Sequence, residues 1–451
     1  MESKRIESIG FFSLVCLVVA NMIGSGLYTS SGFALASLQR TDLVLAVWAV
    51  AGVMAICGAV SYGAIASRLP GSGGEYHYLS QLLHPSMGFL AGWISMIAGF
   101  TGPIAAAAFV FAVYADSPIF EQLFLDQKTI AALVIGVAAI LHSFRLRTGL
   151  WTQNIAVVVK LVGLVSIMIW GGLVLPKSHW PSWSLTLTKI EYSSSWTLIF
   201  SMLSSLVWIS LSYTGFNAAI YVAGESKNAK SLVPKAMLTA TILVTIIYMT
   251  LNFLFLYGSN LDAISGEPRI AEVSASAIGG VWMSRVMTAT ILLSSWTSVL
   301  SLLMTGPRVY AKMADDHMLP MFFTTKNEVP RSAMVVQAIL AIVIVYASNL
   351  RDLIGFLGLT LTACGAITVA SVWRIKSVYP DRPSLRWYEH LSAFVFVVLT
   401  ISMIAAASTF QPAQFYTMLL TFATGLLLYL VWCWLGSRGI KSTALNAKDS
   451  L

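Results

Sequence analysis

The sequence predicts an all-α polytopic membrane protein of about twelve spans. Three observations predict it. Hydrophobic residues fill 57% of the 451 positions and charged residues 10%, against about 25% charged in a soluble globular chain. The apolar residues form long uncharged runs of the length that crosses a bilayer, roughly 17–25 residues. The basic residues sort to one side of those runs. The short alternating segments of a transmembrane barrel do not occur.

The runs place spans at about 10–37, 42–67, 86–114, 129–146, 150–175, 196–222, 235–258, 274–304, 331–348, 351–373, 388–409 and 413–436. The fourth is short and the eighth is long. The longest connections are about twenty-five residues, which leaves no room for a soluble domain. With the amino terminus set in the cytoplasm, nineteen Lys and Arg fall inside. Seven fall outside (Arg40, Lys128, Lys177, Lys189, Arg269, Arg285 and Arg351), and Lys160 is left in the membrane. That asymmetry puts both termini in the cytoplasm of a multi-pass cell-membrane protein. It also accounts for the net charge of +8 without a nucleic-acid site. A secretory leader is the alternative for the first run, with Lys4-Arg5 at its start and Ala34-Leu35-Ala36 as cleavage site. The run is too long for that, and losing it would invert the charge pattern. The four cysteines, Cys16, Cys57, Cys364 and Cys433, all lie in spans and imply no disulfide framework. No Asn-X-Ser/Thr sequon occurs.

The first span is interrupted by Gly24-Ser25-Gly26 within Ile23 to Tyr28. Backbone groups freed at mid-membrane depth cost several kcal/mol each unless something polar meets them. Such breaks persist where they line a cavity, which points to transport of a small charged solute. The sixth span carries a matching interruption, Leu211-Ser212-Tyr213-Thr214-Gly215-Phe216-Asn217. Two Gly-interrupted spans at equivalent places in two five-span halves are the mark of an inverted repeat with its site between the halves. Close helix packing is the plainer use of a membrane glycine, and Gly88 and Gly92 fit it.

Lys160 sits in the run Trp151 to Trp170, about 13 Å into that helix at 1.5 Å per residue. A lysine so deep costs at least about 3 kcal/mol. It is either a functional charge facing a cavity or an ammonium that ties helices together through freed carbonyls. Ser294, Ser295, Ser298 and Ser301 form a polar stripe at helical spacing, suited to packing between helices or to a place on the cavity wall. Arg68 to Tyr76 is a Gly-rich turn, followed by an amphipathic stretch to His84 expected along the membrane surface. Gly224 to Lys235 is a charged turn with a helix expected from Pro234. Trp180, Trp183 and Trp196 suit an interfacial anchor. Nothing in the sequence asks for a cofactor or a metal.

These segments resemble the amino acid–polyamine–organocation superfamily of permeases, in particular its L-type amino acid transporter branch, over residues 8–400. The resemblance rests on four motifs in order: Ile23-Gly24-Ser25-Gly26-Leu27-Tyr28; Ser72-Gly73-Gly74-Glu75-Tyr76; Gly224-Glu225-Ser226-Lys227-Asn228 with Pro234; and Arg308-Val309-Tyr310-Ala311 through Leu319-Pro320 and Val329-Pro330. It implies a LeuT-type 5+5 inverted repeat with helices one and six broken. Repeat one would cover about 10–175 and repeat two about 196–373, with two extra helices at 388–436, all one transporter domain. It implies a zwitterionic amino acid as substrate, held by Ile23, Gly24, Ser25 and Gly26 and by residues 211–217, with Asn217 hydrogen-bonding it. Lys160 matches a family lysine that stands where sodium-coupled relatives bind Na⁺, which implies sodium-independent exchange or proton coupling. Ser298 would lie near that lysine. Leu211 replaces the family's aromatic gate, so side-chain preference cannot be copied. Relatives joined by disulfide to a glycoprotein use a cysteine between helices three and four; residues 115–128 have none, so no such partner is expected.

The expected function is a secondary transporter of neutral amino acids working by alternating access. A polyamine or organic-cation carrier would need acidic residues in span cores, and Glu75, Glu225 and Asp315-Asp316 read as loop residues. A receptor that binds without translocating is a further alternative. Enzyme chemistry has no support, with no His-Glu-X-X-His and no paired carboxylates in a span.

Overall fold

The structure is a computed structural model that describes residues 9–71, 73–116, 125–143, 150–175, 194–226, 228–324 and 331–448. The sequence readings at Lys4, Arg5, Ser72, Trp180, Trp183, Lys227 and Val329-Pro330, and most of 115–128, fall outside the described residues. All regular elements among the described residues are helical.

The first span is split into α1 (Phe11–Met22) and α2 (Ser25–Leu38), and the second is α3 (Thr41–Arg68). A short helix, α4 (Gly74–Leu82), precedes the third span, in which α5 (Pro85–Ile94) and α6 (Gly102–Ala115) are joined by a π-helical turn at Ser95–Thr101. The fourth and fifth spans are α7 (Gln127–Ser143) and α8 (Leu150–Val174). The sixth is again split, into α9 (Ser195–Tyr213) and a 3₁₀ segment, Ala218–Glu225. Then come α10 (Ala229–Tyr257), the one-turn α11 (Leu261–Ile264), α12 (Ile270–Asp315), α13 (Arg331–Ala347) and α14 (Leu350–Ala370), which runs on into α15 (Ile375–Val378). The chain closes with α16 (Trp387–Phe410) and α17 (Pro412–Lys448). Ten helical stretches are long and apolar enough to cross a membrane. Two shorter apolar helices, Gln127–Leu141 and Arg331–Ala347, bring the described set to the twelve expected.

Two boundaries differ from the sequence reading. The eighth span is preceded by an extra segment, because Gly279 and Gly280 leave the helical region and Gly280 takes φ 68°, a conformation that costs glycine little. α10 begins at Ala229, with Pro234 inside it. α4, expected as an amphipathic stretch, packs one face into the protein. Glu75, Tyr76, Tyr78, Leu79 and Leu82 are buried in the protein, and Gly74, at φ 61°, leaves no room for a side chain beside the Tyr221 ring.

Glycines set the closest approaches. A side chain at Gly92 would strike Met313, and one at Gly88 would strike Ser80, which is the packing role expected of both. The four cysteines are free thiols. At the face that carries the amino terminus, Arg68 is bidentate to Glu389, at 2.8 and 3.1 Å, and also donates to the carbonyls of Pro383, Ser384 and Ala64. Both side chains are nearly buried, at 7% and 10% exposure. The pair fixes α16 to the end of α3.

Candidate functional site

The two breaks lie against each other. In the first, Ile23 and Gly24 take extended backbone (Gly24 φ −144°, ψ −154°), and α2 starts at Ser25 with no side-chain cap. The N–H groups of the first turn of α2 therefore have no partner within the helix, and the positive end of its dipole faces the break. In the second, Thr214 is extended and Gly215 takes φ 92° before the 3₁₀ turn. Each break carries a glycine seated on the other break's main chain. A Cβ on Gly26 would strike Ser212 Oγ and lie 2.9 Å from Ser212 N and 3.0 Å from its Cα. A Cβ on Gly215 would lie 2.8 Å from Asn21 O.

A cavity of about 410 Å³ opens beside this junction, within the roughly 300–1,000 Å³ of small-molecule sites. Gly24, Ser25, Gly26, Leu211, Tyr213, Thr214, Gly215, Phe216, Asn217 and Ser298 line it. Ile23, Ser212 and Lys160 do not; they stand behind its wall. Lys160 is 3% exposed and donates from Nζ to Ile23 O at 2.8 Å. The sequence left open a charge facing a cavity or an ammonium on freed carbonyls. The second arrangement is the one present, and Lys160 makes no hydrogen bond to Ser298 among the described residues. Ser298 and Ser301 share the cavity wall with Ser95, Gly99 and Phe100 of the π-helical turn, a distortion that often marks functional sites.

Some carbonyls expected to be open are occupied. Leu211 O accepts from the N–H and the hydroxyl of Thr214, at 3.1 and 2.7 Å. Asn217 turns its amide toward the face that carries the amino terminus and donates to Glu75 Oε1 at 3.1 Å. Glu75 is not a solvent-facing loop residue as the sequence suggested. It is 7% exposed and lines the cavity. It also accepts from the Tyr62 hydroxyl and, at 3.3 Å, from the Cys364 thiol. Sequence reasoning missed this cluster because Asn217 and Cys364 come from segments far along the chain from Tyr62 and Glu75. Phe396 of α16, also on the wall, packs on Phe216 at 6.2 Å between centroids, and Phe216 meets Tyr62 edge-on at 5.5 Å.

Burial lifts the Glu75 carboxyl above its ordinary value of 4.5, against the opposing pull of its hydrogen bonds from Tyr62, Cys364 and Asn217. A raised carboxyl pKa means that the folded protein keeps a proton the unfolded chain has released. The contribution to stability is greatest below 4.5 and falls as pH rises through the folded value. Glu75→Gln is expected to flatten the pH dependence of the thermal midpoint above that point. A profile unchanged by the substitution would remove Glu75 as its source.

A family model described as amino acid permease matches residues 9–432. Solute carrier family 7 member 13 of Mus musculus is 24% identical over 451 residues, covering 95% of this chain and 91% of its own. Large neutral amino acids transporter small subunit 2 of Homo sapiens is 25% identical over 383 residues, 84% of this chain and 71% of its own. The b(0,+)-type amino acid transporter 1 of Oryctolagus cuniculus is 24% identical over 359 residues, 78% and 72%. A family match across nearly the whole length, on a helical frame broken at both places the sequence indicated, means that this multi-pass membrane protein belongs to the amino acid permease family of the amino acid–polyamine–organocation superfamily.

Proposed function

We propose that the protein is a secondary transporter of neutral amino acids, independent of Na⁺, that works by alternating access. Residues 10–175 and 196–373 act as the two inverted halves and 388–436 as accessory helices, in a cell membrane with both termini in the cytoplasm and no disulfide-linked partner subunit. The observation that carries the reading is the pair of mutually seated breaks beside one cavity. A carboxylate placed there would meet the first-turn N–H groups of α2. An ammonium would meet the break carbonyls, each of which has a second lone pair. The charged residues of the cavity wall, Glu75, Glu225 and Lys312, belong to α4 and to the ends of the 3₁₀ segment and α12, and none of them is part of either break. That supports an uncharged side chain on the substrate. Independence of Na⁺ is supported by the Lys160 amine, whose nitrogen lies on Ile23 O at the first break.

Uptake of a labelled amino acid panel into proteoliposomes tests this, with and without internal substrate, Na⁺ and a pH gradient. Neutral amino acids should enter, faster against internal substrate, with no loss when Na⁺ is removed. Uptake of polyamines alone, a strict need for Na⁺, or binding without accumulation would each overturn the reading.

Gly24 gives a narrower test. Its backbone suits any residue, and a Cβ there meets nothing within 4 Å, so the methyl of Gly24→Ala would project into the cavity. The variant should fold normally and lose uptake of the bulkiest substrates relative to the smallest by about tenfold, in the range expected for one methyl in a tight pocket. Unchanged ratios across the panel would place the substrate elsewhere.

A further inference from the structure

The cavity wall carries two carboxylates, of which Glu225 is exposed and Glu75 is buried. Every group that donates to Glu75 among the described residues is neutral. Tyr62 of α3 and Asn217 of the second break donate to Oε1, the latter at 3.1 Å, and the Cys364 thiol of α14 donates to Oε2 at 3.3 Å. Tyr221 of the 3₁₀ segment, its ring set against Gly74, is the further titratable group on that side. On α4 itself, Tyr76 donates to Asp316 at 3.1 Å, His77 stands against Gly71, and Tyr78 is buried. α5, packed along α4, has no titratable residue, and Arg374, in the turn after α14, is exposed. Lys312, on the same cavity wall, is paired with Asp316 at 2.7 Å. No ion pair reaches Glu75 among the described residues. A carboxylate held nearly out of water without a counter-charge is driven to take up a proton.

We propose that Glu75 is a proton site of this transporter: its carboxylate takes up a proton, loosens its hold on Asn217, and carries the proton across with the amino acid. The proposal rests on the transport reading above and names the ion that drives it. The proton adds to a lone pair of Oε2. The thiol hydrogen of Cys364 turns aside, and its sulfur, a weak acceptor, faces the new O–H. One negative charge is lost and no other covalent bond changes. The hydrogen bond from Asn217 then loses its charge assistance, roughly half its strength. Asn217 lines the cavity at the second break, so its amide becomes available to a zwitterion bound there. Proton and amino acid thus favour each other's binding, by the same factor in both directions. When Glu75 gives up its proton, the carboxylate draws the Asn217 amide back and the amino acid is held less tightly. Affinity therefore rises as pH falls.

Proteoliposomes with a pH-sensitive dye trapped inside report the entry of amino acid and of protons together. Exchange against internal substrate checks the transport reading separately. In wild type, an acid exterior should drive accumulation of the best neutral amino acid of the panel. The interior should acidify only when the amino acid is present, and a protonophore should abolish the accumulation. KM should fall by about fivefold or more between about pH 8 and about pH 6, the size of an ordinary coupling between two sites. Glu75→Gln copies the protonated side chain, so it should carry amino acid without acidifying the interior, at a KM that no longer varies with pH. A wild type that exchanges amino acid but neither accumulates it nor acidifies under an acid exterior overturns the proposal. Amino-acid-dependent proton entry surviving in Glu75→Gln overturns it as well. Should Gln prevent folding, Cys364→Ala removes a donor that favours the charged form, and the midpoint of the KM profile must move to higher pH. An unmoved midpoint is then the overturning result.

Discussion

Gly26→Val is expected to abolish substrate binding, with uptake reduced by about a hundredfold or more. Gly26 lies in the first turn of α2, and its missing side chain is filled by Ser212 of the other break, hydroxyl and main chain together. A hydroxyl alone could rotate away. The Ser212 N and Cα are main chain of the second break and cannot swing aside as a side chain does. Valine must therefore push the breaks apart. That displaces the α2 N–H groups and strains the bonds from the Tyr248 hydroxyl to Met22 O and Ser212 O, hydrogen bonds worth about 1–1.5 kcal/mol each, and every 1.4 kcal/mol is a factor of about ten. Overpacking also costs stability, roughly 1–3 kcal/mol, so binding is measured only on material that stays monodisperse in detergent. Binding at wild-type affinity in that material would remove the site from the first break.

The second large effect is expected at Lys160. Lys160→Ala leaves Ile23 O without the ammonium that lies 2.8 Å from it. The site is 3% exposed, so water cannot easily replace the donor, and an unpaired buried carbonyl costs about 1–3 kcal/mol. The substitution also takes away a buried charge, which on its own favours insertion. Folding should therefore survive while transport falls by more than about tenfold and its pH dependence changes. Normal uptake with a normal pH profile would leave the lysine with a purely structural task.

The frame of the molecule was legible from composition and run length because a bilayer imposes both. The breaks were legible for the same reason: Gly24-Ser25-Gly26 and Thr214-Gly215 contradict the apolar pattern around them. The purpose of each glycine was not. Gly26 answers to Ser212 and Gly215 to Asn21, pairings nearly two hundred residues apart that no local rule carries. Glu75 was misjudged because a carboxylate in a Gly-rich turn ordinarily faces water; its partners Tyr62, Asn217 and Cys364 became visible only once the helices were packed. Tyr248 was overlooked because tyrosine passes as an apolar residue in a span. A phenol at mid-membrane depth nonetheless needs an acceptor, and that need was the available signal. Lys160 was placed within the fifth span, yet its direction, toward a main-chain carbonyl and not the open cavity, depends on how α8 packs against α1.

The clamp between Arg68 and Glu389 has a bearing on how the chain may be shortened. A guanidinium with its donors spoken for and nearly sealed from water cannot lose its carboxylate cheaply; removing one member of such a pair costs about 3–5 kcal/mol. Residues 383 and 384 supply two more of its acceptors, and Phe396 closes one wall of the cavity. A ten-helix minimal version ending before residue 383 would therefore strand a cation at the foot of α3 and breach the chamber. α16, clamped to the end of α3 and closing one wall of the cavity, cannot be trimmed without loss.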